Sequence, residues 1–183
     1  QISEDQVYDG CAFLGASYKK YIELFNRCYE TYYKRDFRTT FFDCTNYYFE
    51  IDLPRDDKQK GPSKENRQDP IIGQALLLDA DLVPLAMQMY PGNESEKPYI
   101  RKLVEEMKQR HHVSGKTVQV ADKGLNCAEN IGRCGTNDGY IFSKSPKMMS
   151  DNDLKWMFDE NGWTDVLDKN GEVSYRYKSV SDV

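Results

Sequence analysis

The sequence predicts an α/β domain built on a mixed β-sheet with helices on its faces. Between residues 39 and 90, three apolar stretches rich in β-branched and aromatic residues indicate a meander of three strands. Beyond the meander, helical and strand patterns alternate as far as residue 143. Such alternation adds parallel strands to a sheet and places the connecting helices on its faces.

Each element has its own local pattern. Apolar residues recur every three or four positions over residues 11–33, which predicts one amphipathic helix of about six turns ahead of the sheet. The predicted strands of the meander cover residues 39–51, 71–78 and 82–90. A polar loop bounded by Pro54 and Pro70 separates the first two of these strands.

The second half of the chain continues the alternation. Its predicted elements are a helix over 95–110, a strand over 117–121, a short helix over 127–134, a strand over 140–143, a helix over 151–159 and a hairpin over 163–177. Ser95 or Asn93 is the expected N-cap of the helix over 95–110. The Asn170-Gly171 pair favours a type I′ turn in the hairpin. We expect the meander strands to pair antiparallel and the strand at 117–121 to run parallel to the first strand.

Composition excludes several classes of protein. The 183 residues are 30% charged, but 13% are aromatic, which is too many for a disordered chain. No run of ~18 apolar residues occurs, so a membrane span and a membrane partner are not expected. A net charge of −5 argues against a nucleic-acid module that works through bulk positive charge. The net charge does not exclude an enzyme that holds metal cations between carboxylates and binds a phosphodiester only at that site.

The five cysteines are irregularly spaced and odd in number, which indicates reduced thiols of a cytoplasmic protein rather than a disulfide framework. The chain begins with Gln1 rather than with Met, so we interpret it as a fragment of a longer protein.

Two acids stand out by their positions. Asp43 lies within an otherwise apolar, aromatic strand, where a buried carboxylate is costly unless it is paired or ligates a cation. Asp122 directly follows a short apolar strand. It therefore lies at the carboxyl end of the strand, where open sheets usually have their ligand-binding sites. Their spacing alone leaves a plainer alternative open, in which Asp43 faces solvent and Asp122 caps the following helix.

Four segments of the chain resemble the catalytic core of DDE transposases from bacterial insertion sequences, over residues 39–142. They are FFDCTNYYFE, GPSKENR, GQALLLDADLVPLAMQMYPGNESE and VQVADKGLNCAENI. The group that they resemble most carries a β-domain inserted between the second catalytic Asp and the catalytic Glu. The resemblance implies a ribonuclease-H-like fold with a helical lead-in over 1–38, a partial catalytic core over 39–145 and the start of the inserted β-domain over 146–183.

The resemblance also implies that Asp43 and Asp122 are the catalytic, metal-binding carboxylates. Two Mg²⁺ or Mn²⁺ ions, roughly 3.5–4 Å apart, serve such in-line phosphodiester chemistry. Asp43 would bridge both ions and Asp122 would hold one. The catalytic Glu of the family lies on a helix after the inserted domain, a context that neither Glu160 nor Glu172 has. We therefore expect it beyond Val183 and expect the fragment alone to be inactive.

DNA is the partner that the resemblance implies. Lys64 and Arg67 match basic positions of the family and are candidate contacts to DNA phosphates, as is Lys123 beside the second acid. The alternatives are an ordinary solvated loop for the first two residues, and pairing with the adjacent carboxylate for Lys123.

The function expected from the resemblance is metal-dependent DNA strand cleavage and strand transfer in DNA transposition. The expected substrates are transposon ends and target DNA. The full-length protein is expected to form a homo-oligomer on DNA. One alternative is a degenerate or domesticated transposase domain that acts only in DNA or protein binding. A glycosidase-like acid/base pair is a third possibility, with no support beyond the two carboxylates.

Overall fold

A computed structural model describes residues 2–62, 68–134 and 138–180 of the chain. The chain divides into two compact units, Gln1–Ser143 and Lys144–Val183. Within the described ranges, no helix is long and apolar enough to cross a membrane. All five cysteines lie in these ranges, and none of them forms a disulfide.

The described part of the first unit contains a five-stranded sheet and four α-helices. The strands are β1 (Thr39–Tyr48), β2 (Ile71–Leu78), β3 (Pro84–Pro91), β4 (Val118–Ala121) and β5 (Gly139–Phe142). The helices are α1 (Glu4–Ala16), α2 (Tyr18–Tyr32), α3 (Lys97–Arg110) and α4 (Ala128–Cys134), with a 3₁₀ turn at Lys123–Leu125. The second unit contains a 3₁₀ turn (Pro146–Met148), α5 (Asp151–Phe158) and a hairpin of β6 (Thr164–Leu167) and β7 (Val173–Tyr177).

The strand order in the main sheet is β3-β2-β1-β4-β5. β1 pairs antiparallel with β2, and β2 pairs antiparallel with β3. β4 runs parallel to both β1 and β5. This is the ribonuclease-H-like arrangement that the resemblance implied, so the predicted fold class and the predicted strand pairings are confirmed.

The hydrophobic core lies between this sheet and α3. Alternate residues of the strands point toward the helix, as the two-residue period of a strand requires. The buried core side chains of the sheet include Phe42, Cys44, Ala75, Leu77, Ala86 and Tyr90, and those of α3 are Ile100, Leu103, Val104 and Met107. Gly73 pairs directly with Tyr90, and a β-carbon at this glycine would lie 2.1 Å from carbons of the tyrosine ring.

The chain before the sheet forms two helices, so the prediction of one helix over 11–33 was wrong. Helix α1 begins earlier than predicted, and only Ser17 separates it from α2. Helix α2 packs against β3. The buried residue of α2 is Asn26, whose side-chain amide donates to the carbonyl oxygens of Ile22 (2.7 Å) and Leu85 (3.0 Å).

A buried ion pair joins the segment after α2 to the turn between β2 and β3. The side chains of Arg35 and Asp79 are 2% and 0% exposed. The Arg35 guanidinium donates to Asp79, to Asn26 Oδ1 and to the carbonyl oxygen of Pro84. It also lies 4.5 Å above the centre of the Tyr29 ring. This cluster connects α2 to the sheet.

Two further polar contacts involve the ends of α3 and β5. His111 follows α3, and its Nδ1 lies 2.7 Å from Glu30 Oε1 of α2. Asp138 precedes β5 and accepts hydrogen bonds from the backbone N–H and the hydroxyl of Thr117, each at 3.0 Å. Lys108 of α3 also contacts the Asp138 carboxylate, at 2.5 Å.

Two other local predictions need correction. Glu96, rather than Ser95 or Asn93, precedes the first turn of α3 and its side chain does not cap the helix, although the Ser95 hydroxyl accepts the backbone N–H of Lys97 at 3.4 Å. The hairpin of the second unit does not have a type I′ turn, because Gly171 has a positive φ (85°) but Asn170 does not. The carboxylate of Asp168 organises this turn instead, accepting from the backbone N–H of Asn170 at 2.8 Å.

Candidate active site

The sheet brings the two predicted acids side by side. In the parallel pairing of β1 with β4, Phe42 is in register with Ala121. The next residue in each chain segment is one of the acids, Asp43 or Asp122. Asp122 keeps an extended backbone (φ −75°, ψ 177°), so the register carries on past the last paired residues. The two acids therefore follow the last paired residues of β1 and β4 and lie near each other at the carboxyl end of β4.

Asp43 is exposed rather than buried. The reason is the alternation of the strand. Its neighbours Phe42 and Cys44 are 4% and 2% exposed and point into the core, so the residue between them points to the opposite face. One carboxylate oxygen of Asp43 accepts the backbone N–H of Cys44 at 2.8 Å.

Asp122 is also exposed, and it caps the 3₁₀ turn that follows, accepting from the Gly124 N–H at 3.0 Å. The plainer alternative considered for the two acids thus describes their surroundings correctly. It does not compete with a role in binding, because a carboxylate has about four acceptor sites and the cap uses one.

A third carboxylate, which the sequence analysis did not single out, lies next to Asp122. A β-carbon at Gly124 would lie 2.5 Å from Glu96 Oε1 and 3.2 Å from Asp122 Oδ1, so both side chains border this glycine. Glu96 had no distinguishing local pattern, because it stands in a polar turn before α3. Across the described ranges, no three His, Cys, Asp or Glu side chains gather closely enough to hold a metal ion.

A cavity of about 450 Å³ extends from Glu96, with Asn46 and Lys97 also in its lining. Part of its wall is Gly92, where a β-carbon would lie 2.2 Å from the carbonyl oxygen of Ile71. The turn at residues 91–93 therefore needs glycine because another backbone segment passes over it. Burial raises the pKa of Tyr90, another lining residue, so its hydroxyl stays protonated and can donate a hydrogen bond.

The solved structures that are similar to this chain include two transposase complexes. No family model and no curated protein matches this chain. A structure of the Mos1 transposase paired-end complex with left transposon end is similar over 67% of this chain and 40% of that chain, at 15% identity and a TM-score of 0.40. The piggyBac transposase synaptic complex with hairpin DNA is similar over 73% of this chain and 29% of that chain, at 11% identity and a TM-score of 0.47. This chain thus spans less than half the length of either.

The candidate DNA contacts divide into two groups. Lys123 follows Asp122 directly and is exposed, so its ammonium group is available at the same end of the sheet. Lys64 and Arg67 lie outside the described residues, and their assignment remains a prediction from the sequence. The site described here therefore consists of the two acids, Lys123, Glu96 and the adjoining cavity.

Proposed function

We propose that this chain is the core of a DDE-type transposase of the bacterial insertion-sequence kind, which cleaves and transfers DNA strands with divalent metal ions. One observation carries the proposal. Two exposed acids, Asp43 within β1 and Asp122 directly after β4, each follow one of the residues Phe42 and Ala121 that pair in the parallel register of these strands, in a sheet of ribonuclease-H-like order. The positions agree with those that the sequence resemblance assigns to the first two catalytic carboxylates.

The donor atoms at this point suit Mg²⁺ or Mn²⁺, because both ions prefer carboxylate oxygens and retain water ligands. Asp43 and Asp122 would hold the ions, which when bound stabilise charge on the attacking and leaving oxygens of a phosphodiester. The hydrogen bond from Gly124 orients the Asp122 carboxylate before any ligand arrives. With two acids, the ions are held by few negative charges, so we expect weak binding.

DNA is the proposed substrate, both as transposon ends and as target. Because the chain carries a net charge of −5, attraction must be local rather than general. Lys123 is placed to neutralise a phosphate beside the acids, and Lys64 and Arg67 are proposed to contact phosphates further along the duplex. We also propose that the full-length protein works as a homo-oligomer on DNA.

Metal binding by the chain itself tests the assignment of the acids. Mn²⁺ binding, followed by isothermal titration calorimetry or by electron paramagnetic resonance, should weaken at least tenfold in Asp43→Asn and in Asp122→Asn. Asp81→Asn is the matched control, since this exposed aspartate lies in the β2–β3 turn. Equal binding by the wild type and by both site variants would refute the metal site.

Activity is tested in the full-length protein with DNA that carries the element ends. Asp43→Asn and Asp122→Asn should abolish cleavage and leave DNA binding nearly unchanged, because these groups hold metal rather than phosphate. Lys64→Ala and Arg67→Ala should instead weaken DNA binding and reduce its dependence on salt. Cleavage by Asp43→Asn at the wild-type rate would disprove the catalytic assignment.

A degenerate domain that only binds DNA or protein is the second candidate. It is favoured by the lack of a third acid gathered with the pair within the described part of the chain. The same experiments separate the two candidates. A binding-only domain would retain DNA in the full-length protein but show neither site-dependent Mn²⁺ binding nor cleavage.

A further inference from the structure

A second cavity, of about 610 Å³, opens at the amino-terminal ends of β1 and β4. Its lining comes from residues 34–38 and from Val113, Gly115 and Lys116. The backbone N–H of Val118 donates to the carbonyl oxygen of Arg38 at 2.8 Å, so the two segments enter the sheet side by side. We call this cavity the basic cleft. Arg38 precedes Asp43 by five residues, or about 17 Å at the rise of a strand, so the cleft is separate from the candidate active site.

Positive charge exceeds negative charge in the lining of the basic cleft. Two of its four cations are neutralised, since Arg35 takes part in the buried ion pair described above and Arg38 pairs with Asp36 at 2.6 Å. The other two, Lys34 and Lys116, are exposed, and neither forms an ion pair within the ranges that the structure describes. The cleft therefore carries two uncompensated positive charges in a chain whose net charge is −5. A concave surface lined by one sign of charge attracts ligands of the opposite sign.

The basic cleft also holds hydrogen-bond donors that have no protein acceptor. The two carboxylate oxygens of Asp36 accept from Nε (3.0 Å) and Nη2 (2.6 Å) of Arg38, which orients the guanidinium and leaves three of its five N–H groups for a ligand. The backbone N–H groups of Gly115 and Lys116 have no acceptor within the described part of the chain. A β-carbon at Gly115 would have no atom within 4 Å, so a ligand can approach this N–H closely.

A phosphate group suits these donors better than a carboxylate does. At pH 7 a phosphate monoester carries a charge of about −1.5 to −2 and three strong acceptor oxygens, whereas a carboxylate has one charge and two oxygens. A guanidinium donates to two phosphate oxygens at once, and an ammonium group binds phosphate as a point charge. The cleft offers one partly free guanidinium, two ammonium groups and the loop N–H groups. Its charge and its donors therefore both match phosphate.

We propose that the basic cleft binds a phosphate group, at a site to which neither the two acids nor Lys123 belong. Lys34 and Lys116 supply the charge, and Arg38 and the N–H of Gly115 supply oriented hydrogen bonds. The phosphate comes either from a DNA backbone or from a free phosphate anion, and experiment distinguishes these sources. Binding requires neither metal nor cleavage, so this inference and the proposed catalytic function can fail independently.

Amide NMR of the chain in EDTA gives a readout at the cleft itself. Inorganic phosphate should shift the Gly115 amide resonance in a saturable way, and Lys34→Ala/Lys116→Ala should weaken this binding at least tenfold. Sodium acetate at the same ionic strength is the matched anion and should bind at least tenfold more weakly than phosphate. Lys102→Ala is the matched protein control, because this exposed lysine of α3 lies outside the cleft.

Fluorescence anisotropy with a short labelled duplex that lacks element ends tests the DNA source. The same double variant should weaken binding at least tenfold and lower the slope of log Kd against log salt by about 1.8, because two phosphate contacts are lost. Lys102→Ala should keep the wild-type slope. A Gly115 shift with the duplex alone would identify the DNA backbone as the source, and a shift with inorganic phosphate would identify the free anion.

Three results would overturn the proposal. The first is a Gly115 resonance that neither phosphate nor the duplex shifts. The second is a Lys34→Ala/Lys116→Ala variant that binds both probes as the wild type does, while circular dichroism shows it folded. The third is binding of acetate as tight as that of phosphate, since the cleft would then not select phosphate.

Discussion

Replacing Arg35 with Met should strongly destabilise the first unit. The substitution keeps an unbranched apolar side chain but removes the positive charge that faces Asp79, whose side chain is fully buried. Asp79 would retain the backbone N–H bonds from Asp81 (3.0 Å) and Val83 (2.8 Å) but lose its cation. The side chain of Asn26 would lose a donor at the same time.

The expected magnitude follows from burial. Breaking a buried ion pair by removing one partner costs about 3–5 kcal/mol, because an uncompensated charge stays in the interior. Domains of ordinary size have unfolding free energies of about 5–15 kcal/mol, so the variant should lose a large part of its stability. Asp79→Asn combined with Arg35→Met should recover part of the loss, since the buried carboxylate then carries no charge.

Urea unfolding at pH 7, followed by far-UV circular dichroism, measures this effect. Tryptophan fluorescence is unsuitable, since Trp156 and Trp163 both lie in the second unit. Arg27→Met is the control, because its pair with Glu23 is solvated, with side chains 70% and 50% exposed, and should cost at most about 0.5 kcal/mol. A loss below about 1 kcal/mol in Arg35→Met would refute the idea that the buried pair connects α2 to the sheet.

Three further outcomes are expected from unfolding measurements. Burial lowers the pKa of His111 despite the nearby Glu30 carboxylate. As the pH falls, the unfolded chain therefore takes up a proton on this histidine at a higher pH than the folded chain does. The free energy of unfolding should fall from pH 7.5 to 5.5, by at most about 1.4 kcal/mol per pH unit. His111→Gln should flatten this dependence, whereas a variant of the exposed His112 that flattened it equally would contradict the assignment. Gly73→Ala should cost about 1–3 kcal/mol in urea unfolding, because its β-carbon overlaps the tyrosine ring that lies over it; a neutral result would show that the ring moves freely. Asp138→Asn should cost about 1.5–3 kcal/mol at pH 7, because it removes a charged acceptor from three donors; an unchanged denaturation midpoint would disprove this.

Some of the candidate site was accessible from the sequence and some was not. The two acids could be picked out because each stands in or after an apolar strand, and the resemblance gave them a role. Whether Asp43 was buried could not be decided, because a strand with aromatic residues on both faces lacks a clear alternation. Glu96 was missed entirely, since it comes next to Asp122 only through the packing of the start of α3 against the turn after β4.

By itself, the sequence determined the type and order of most elements. The spacing of Ile100, Leu103, Val104 and Met107 predicted both α3 and its buried face. The run at 71–78 gave the bounds of β2 correctly. Such features depend on the period of the helix or strand, which neighbouring residues set among themselves.

Only the tertiary structure decided which distant residues meet. The register of β1 with β4 places Asp43 beside Asp122, and the β2–β3 turn gives Arg35 a buried partner. Tyr90 explains the glycine at position 73, because its ring fills the space that a side chain would take. The periodic pattern of α2 predicted an apolar buried face, yet the buried residue is Asn26, since partners outside the helix satisfy its amide. Local periodicity cannot predict such partners, because strand order and packing across the whole unit bring them together.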